Sequence, residues 1–220
     1  MNQLHANKKS TYHAAMGQLL VLYTQVDRLI MEACAERIAT APDEAAKLAL
    51  AKQVGDESEH VAIQHEWMKR FGTSQEPVIP AEQEVAILEH FRQLDWMDFL
   101  TDMYLCVEAL GSDTVENIVP LADPGTRASL KIPLQDELDH IAFGIKRLKQ
   151  ELALLSPLER ETFLERVPAR IETLTRTFHT MGLDVETLFA AVGADYGELC
   201  RSVLKRKDEV LQEVAGAKVA

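Results

Sequence analysis

Two near-identical stretches of the chain carry acidic and imidazole side chains at the spacing of metal ligands. DESEHVA begins at residue 56 and DELDHIA at residue 136, so the copies start 80 positions apart (136 − 56). In both, a glutamate precedes a histidine by three residues. On an α-helix this spacing places carboxylate and imidazole on one face, one turn apart, where both can bind one metal ion. The two pairs are Glu57 with His60 and Glu137 with His140.

A second pair of matching segments precedes these copies. YTQVD ends at Asp27 and YLCVE ends at Glu108, and both read Tyr-x-x-Val-acid. Asp27 lies 30 positions before Glu57 (57 − 27), and Glu108 lies 29 positions before Glu137 (137 − 108). Among seven histidines in so acidic a chain, about one acid at the i−3 position is expected by chance. Because both segments are duplicated, we predict a repeated helical hairpin with half of a metal site on each copy.

Together these residues form the ligand set with which a four-helix bundle binds two metal ions. Such a site takes one acid from each of two helices and Glu-x-x-His from each of the other two. Four carboxylates nearly neutralise two divalent ions, and oxygen and imidazole ligands suit iron or manganese. The predicted ligands are Asp27, Glu57, His60, Glu108, Glu137 and His140.

Glu32 is a rival to Asp27 as the ligand from the first helix. Asp27 shares a helix face with Ile30 and Cys34, an apolar stripe that we expect to point inward. A carboxylate buried there needs a compensating cation. Glu32 shares its face with Arg28, which we expect to be solvated. We therefore favour Asp27 and keep Glu32 as the alternative.

Four further residues are expected beside the ligands. Asp56 and Asp136 directly precede the two ligand glutamates. Each is either a surface charge or the acceptor of a hydrogen bond that fixes the tautomer of a ligand histidine. Tyr23 and Tyr104 lie one turn before the two acids of the first hairpin helices, where they either fill the core or border the metal site.

The elements that must position these residues all read as helices, because strand-like alternation is absent and Ala, Leu and Glu are the commonest residues. We predict an all-α chain of four long helices followed by two C-terminal ones, with a kink at Pro133 and an interruption or bend at Pro168. It forms one domain over 1–220, with the ligand-bearing bundle at about 11–155 and the C-terminal helices at about 157–214. The helices are predicted at about 11–40, 42–71 and 81–94, then in a long helix to about 120, one through DELDHIA to about 155, one from 157 to MGLD (181–184), and one at about 185–214. GTSQEPVIP (72–80) is predicted as the longest loop and ADPGT (122–126) as a turn.

Composition narrows the classes of partner. Hydrophobic residues make up 47% of the 220 positions and charged residues 26%, as in ordinary globular proteins. The net charge of −12 disfavours nucleic acid and anionic membrane surfaces, which bind clustered Lys and Arg. The polar start MNQLHANKKS has no signal pattern, and no apolar run is long enough to cross a bilayer. Three cysteines without a C-x-x-C pair favour a reduced, cytoplasmic setting.

The duplicated D-E-x-x-H motif resembles the oxygen-activating branch of the ferritin-like di-iron carboxylate superfamily. That branch includes bacterial multicomponent monooxygenases, the phenylacetyl-CoA oxygenase catalytic subunit and aldehyde-deformylating oxygenases. NIVPLAD (117–123), Arg127 and DELDHIAFG (136–144) are similar to the last of these in order and spacing. Specific motifs cover residues 15–150. Most relatives have Glu where this chain has Asp27, and the shorter side chain would alter how two ions are bridged.

The resemblance implies a ferritin-like four-helix bundle with two additional C-terminal helices. It also implies a non-haem di-iron oxidoreductase of the monooxygenase type. The cofactors would be two iron ions, with manganese or a mixed iron–manganese pair left open, and O₂ would be the co-substrate. A small apolar or amphipathic organic molecule would be oxidised with electrons from a separate reductase or ferredoxin. A homodimer is left open. The alternative is an iron-handling protein of the ferroxidase or peroxidase type.

A substrate pocket is expected beside Gly111 and Ser112. They follow Glu108 by about one turn, where the first half of the chain has the larger Ile30 and Met31. The smaller side of the site should leave room for O₂ and substrate.

Overall fold

The computed structural model describes the backbone of residues 2–72, 76–180 and 185–216, and the side chains of 11–72, 76–176 and 186–216. Every regular element in these ranges is helical, so the predicted all-α fold is confirmed. The elements are α1 (Asn2–Ile38), α2 (Glu44–Phe71), α3 (Ala81–Gln93), α4 (Trp96–Leu100), a π-helical segment (Thr101–Glu108), α5 (Ala109–Ile118), α6 (Pro124–Leu154), α7 (Pro157–Thr180), α8 (Val185–Ala191) and α9 (Tyr196–Ala215).

The four long helical stretches form a bundle. Helix α1 packs along α2, α2 packs against α6, and α6 packs against the π-helical segment and α5. One part of the core surrounds Tyr104 and Phe99 and extends to Ile171 of α7. The other surrounds Met16 and Ile118 and extends to Phe189 of α8. The C-terminal helices therefore cover the outside of the bundle, while its axis is left to the predicted ligands.

Local signals fix where the two helices with the D-E-x-x-H motifs begin. The Asp43 carboxylate accepts a hydrogen bond from the Ala46 amide at 2.9 Å and caps α2. Gly72 ends α2 with φ of 62°, the left-handed conformation that favours glycine. The Asp123 carboxylate caps α6 by accepting hydrogen bonds from the amides of Gly125 and Thr126.

Two predicted helix boundaries were wrong. Helix α1 begins at Asn2 rather than at residue 11. The helix predicted over 185–214 is divided into α8 and α9, because Gly193 adopts φ of 95° and Asp195 caps a new helix through the Glu198 amide. The chain after the four-helix bundle thus contains α7, α8 and α9 among the described residues.

The prolines and loops complete the comparison with the sequence. Helices α6 and α7 run through Pro133 and Pro168 without interruption. Residues 73–75 of the predicted loop and all of MGLD (181–184) lie outside the described residues. None of the described helices is both long and apolar enough to cross a membrane.

Candidate metal centre

The inward face of α2 becomes polar in the middle of the bundle. Its buried positions recur every three or four residues, which is the period of one helix face. The ends of this stripe are apolar, whereas its central four positions carry amide, carboxylate and imidazole groups. The stripe consists of Ala46, Leu50, Gln53, Glu57, His60, Gln64 and Met68.

Glu57 lies between the two histidines. Its Oε2 is 3.1 Å from Nδ1 of His60 on the same helix, and its Oε1 is 3.5 Å from Nδ1 of His140 on α6. His140 Nδ1 is also 3.7 Å from Oε1 of Glu108. Two sets of three buried residues can each place one ligand atom within 4.8 Å of the others: Asp27, Glu57 and His60, and Glu57, Glu108 and His140. Glu57 belongs to both sets, as a carboxylate bridging two ions would.

Glu137 and Glu32 occupy different places relative to these sets. Neither set includes Glu137, although its Oε2 is buried without a hydrogen-bond partner among the described residues. Burial raises the pKa of Glu137 well above its ordinary value, and the charges of the nearby Glu108 and Asp27 raise it further. The Glu32 side chain is 45% exposed and lies 4.0 Å from Arg28. Of the two rival acids on α1, Asp27 therefore is the one in the cluster.

The two aspartates contact the histidines crosswise. Asp56 on α2 places Oδ2 2.9 Å from Nε2 of His140 on α6. Asp136 on α6 places Oδ2 3.2 Å from Nε2 of His60 on α2. Each motif thus supplies the carboxylate for the histidine of the other copy. If each Nε2–H donates to its aspartate, each Nδ1 presents its lone pair to the cluster interior.

Two glutamines of α2, which were not predicted from the sequence, bind the acids Asp27 and Glu108 on the neighbouring helices. Gln64 donates from Nε2 to Asp27 Oδ2 at 2.6 Å and accepts at Oε1 from the Thr24 hydroxyl at 2.8 Å. On the other side, Gln53 donates from Nε2 to Glu108 Oε1 and accepts from the Tyr104 hydroxyl at 2.7 Å. Both glutamines lie on the inward stripe of α2, so the helical period was the signal that could have found them.

The duplicated tyrosines differ in their surroundings. Tyr104 is fully buried and anchored by Gln53, and its ring fills the space that Gly144 leaves on α6. A Cβ at Gly144 would lie 2.1 Å from Cγ of that ring. Tyr23 is also buried, and its hydroxyl lies beside the side chain of Thr114 on α5. Burial raises the pKa of Tyr23, and the charges of Glu137 and Asp27 raise it further.

Gly111 and Ser112, beside which a substrate pocket is expected, differ in their surroundings. A Cβ added at Gly111 would meet no atom within 4 Å, so open space lies beside it. Ser112 is 2% exposed, and its hydroxyl donates to the Ala109 carbonyl at 3.2 Å. That a substrate binds here stays a prediction.

The charges of the cluster fit divalent cations. Asp27, Glu57 and Glu108 are buried and Glu137 is half-buried. With all four carboxyl groups ionised they carry −4; two imidazolium groups would return only +2 (−4 + 2 = −2), whereas two divalent ions beside neutral imidazoles give −4 + 4 = 0. Burial lowers the pKa of His60, but its contact with Glu57 outweighs this and raises that pKa to about 9. Burial likewise opposes the ionised form of His140, yet contact with Glu108 raises its pKa to about 9. The cluster therefore attracts positive charge.

Unpaired atoms support the same conclusion. Glu57 Oε1, Glu137 Oε2 and His140 Nδ1 are buried without hydrogen bonds among the described residues. Such atoms are costly unless a partner compensates them. All are oxygen or nitrogen donors, which suit iron or manganese.

Comparison with known proteins identifies the fold. No protein-family model matches the sequence, and no curated protein matches it at a significant level. Among solved structures, the chain is similar to "Protein 19 with aldehyde deformylating oxidase activity" from Synechococcus. The TM-score is 0.73 and the identity is 16%, over 94% of this chain and 90% of that one. At this identity the likeness shows the fold alone, and it confirms the ferritin-like helical bundle.

Proposed function

We propose that the protein is a dinuclear metal oxidoreductase that uses O₂ to oxidise a small apolar or amphipathic organic molecule. The observation that carries the proposal is Glu57, whose two carboxylate oxygens face different histidines, 3.1 and 3.5 Å away. Asp27 with His60 would hold one ion, Glu108 with His140 the other, and Glu137 would complete the site from α6. The shared fold of a protein described by aldehyde-deformylating oxidase activity gives further support.

The chain's own residues would prepare this site for chemistry. When bound, a pair of redox-active ions would supply O₂ binding and electron transfer. Asp56 and Asp136 keep the histidines in one orientation, and the two glutamines do the same for the acids of the other helices. The buried surroundings of the cluster exclude water, so that reactive species meet substrate rather than solvent. Electrons would come from a separate reductase or ferredoxin.

Substrate would enter on the side of Gly111 and Ser112. The Tyr23 hydroxyl is buried on α1 beside Thr114 of α5 and close to Glu137 and Asp27, so it would border a substrate bound there. Replacing Ser112 with Met would fill this space without removing a proposed ligand.

An oxygen-uptake experiment tests the proposal. Protein loaded anaerobically with ferrous ion is exposed to O₂ with a chemical reductant and a panel of medium-chain aldehydes and alkanes, and products are identified by gas chromatography. We expect an oxidised or shortened organic product from the wild type, and loss of product with unchanged iron content in Ser112→Met. Uptake of many ferric ions per chain without any organic product would instead favour the iron-handling alternative.

A further inference from the structure

A groove between α3 and α7 is lined by none of the candidate metal ligands. It has a volume of about 500 Å³, which lies in the range of small-molecule sites. Its two walls come from α3 and α7, and its floor reaches Asp102 in the π-helical segment. The walls are largely apolar: Ala86, Ile87 and Phe91 on α3, and Ala169 and Leu174 on α7.

One part of the groove is lined by a network of charged side chains. Asp102 is fully buried and binds Arg170 through both of its oxygens, with Nη2 to Oδ2 at 2.6 Å. His90 Nε2 lies 2.7 Å from the same Oδ2. Asp98 Oδ2 accepts from Arg170 Nη1 at 3.0 Å, and Asp98 Oδ1 lies 2.8 Å from Arg166 Nη2. Both oxygens of Asp102 and Oδ2 of Asp98 are therefore hydrogen-bonded. Asp98 Oδ1 is buried and, among the described residues, makes only the ion-pair contact with Arg166, and Asp98 does not line the groove.

The guanidinium groups, in contrast, keep unused donors. An arginine has five N–H groups. In the described contacts Arg166 meets Asp98 through Nη1 and Nη2, which leaves its Nε–H edge available, and 47% of its side chain is exposed. Arg170 uses three N–H groups on Asp98 and Asp102. The polar end of the groove thus presents unused guanidinium donors, and guanidinium matches a carboxylate in geometry.

We propose that this groove binds an amphipathic carboxylate, with the acid group on Arg166 and the hydrocarbon chain between α3 and α7. A fully polar anion would bind more weakly than an amphipathic one, because burying hydrocarbon against the apolar walls contributes to the binding free energy. An amine is disfavoured, because the carboxylates at this end already bind arginine and the amine would meet two positive charges. Asp102 holds Arg170 in place and prevents it from turning towards solvent.

Calorimetric titration of the full chain with decanoate tests the proposal, with decan-1-ol and decylamine as probes that lack the acid group. We expect decanoate to bind at one site and both other probes to bind at least tenfold more weakly. Arg166→Leu removes one or two charge-assisted hydrogen bonds, so decanoate affinity should fall roughly tenfold to hundredfold. Arg176→Leu is the matched control, because Arg176 lies on the same helix but pairs with Glu172 at 2.6 Å outside the groove.

A second variant blocks the groove without touching the ion network. Ala169 is exposed on α7, so Ala169→Trp can fill the groove while leaving the core intact. Decanoate binding should be lost in Ala169→Trp and retained in Ala153→Trp, an equally exposed position on α6. Circular dichroism and thermal unfolding establish that the variants fold. Undetectable decanoate binding to the wild type, undiminished binding in Ala169→Trp, or equal affinity for decylamine would each overturn the proposal.

Discussion

Replacing Gly144 with alanine should separate α6 from the π-helical segment. The added Cβ would lie 2.1 Å from Cγ and 2.2 Å from Cβ of Tyr104, whereas carbon atoms normally approach to about 3.5–4.0 Å. These atoms belong to the rigid base of the side chain, so a gap of roughly 1.5 Å must open or the ring must leave. Overpacking of this kind costs about 3 kcal/mol at the upper end of its usual range. Alanine is about 1 kcal/mol more favourable than glycine inside a helix, so the free energy of unfolding should fall by about 2 kcal/mol.

Urea unfolding of the metal-free protein, followed by circular dichroism, measures this loss. Gly55→Ala is the matched control, because Gly55 also lies inside a helix but its added Cβ would meet no atom within 4 Å. That variant should be as stable as the wild type or more stable by up to about 1 kcal/mol. Gly144→Ala should also weaken metal binding, since a displaced Tyr104 no longer orients Gln53 against Glu108. Equal stability of the two alanine variants would refute the close packing of Tyr104 against α6.

Three further outcomes are expected. Asp56→Ala should weaken metal affinity about 10- to 100-fold in competition titrations, because His140 loses its carboxylate, while Glu59→Ala removes the same charge from an exposed site and should have no effect. Removing the metal with a chelator should lower the unfolding temperature, because metal at a free concentration one hundred times Kd stabilises the folded state by about 2.7 kcal/mol. An unchanged melting curve would contradict this. Asp123→Ala should cost about 1–2 kcal/mol of stability at neutral pH. Burial opposes the ionised form of Asp123, but hydrogen bonds from Thr126 outweigh it and lower its pKa, so this stability is present above about pH 4 and is lost as the pH falls. If the variant and the wild type differ as much in free energy of unfolding at low pH as at neutral pH, the capping role of the Asp123 carboxylate is contradicted.

The candidate ligands could be predicted from the sequence because residue type and helical spacing alone identify them. A carboxylate and an imidazole one helical turn apart need only a helix to converge, and the duplication of the hairpin supplied the second half. The choice of Asp27 over Glu32 likewise followed from the apolar stripe around it. Local patterns of this kind depend on the helical period alone.

The relations between helices could not be predicted in the same way. The crosswise contacts of Asp56 and Asp136 depend on how α2 lies against α6, which no single segment encodes. His90 has no acid at the ligand spacing in the sequence, yet tertiary packing brings it to Asp102 on another element. The break between α8 and α9 was missed because Gly193 adopts a left-handed conformation within an otherwise helical pattern. The single domain, the electron donor and the homodimer stay predictions.

Anaerobic titration with ferrous ion tests the central claim most directly. The wild type should bind two ions per chain, and O₂ exposure should then produce a transient visible absorption band. Glu57→Ala removes the carboxylate that both sets of ligands share, so it should lose tight binding of both ions, whereas Glu59→Ala should retain two. Binding of a single ion by the wild type, or two tight ions in Glu57→Ala, would contradict the account.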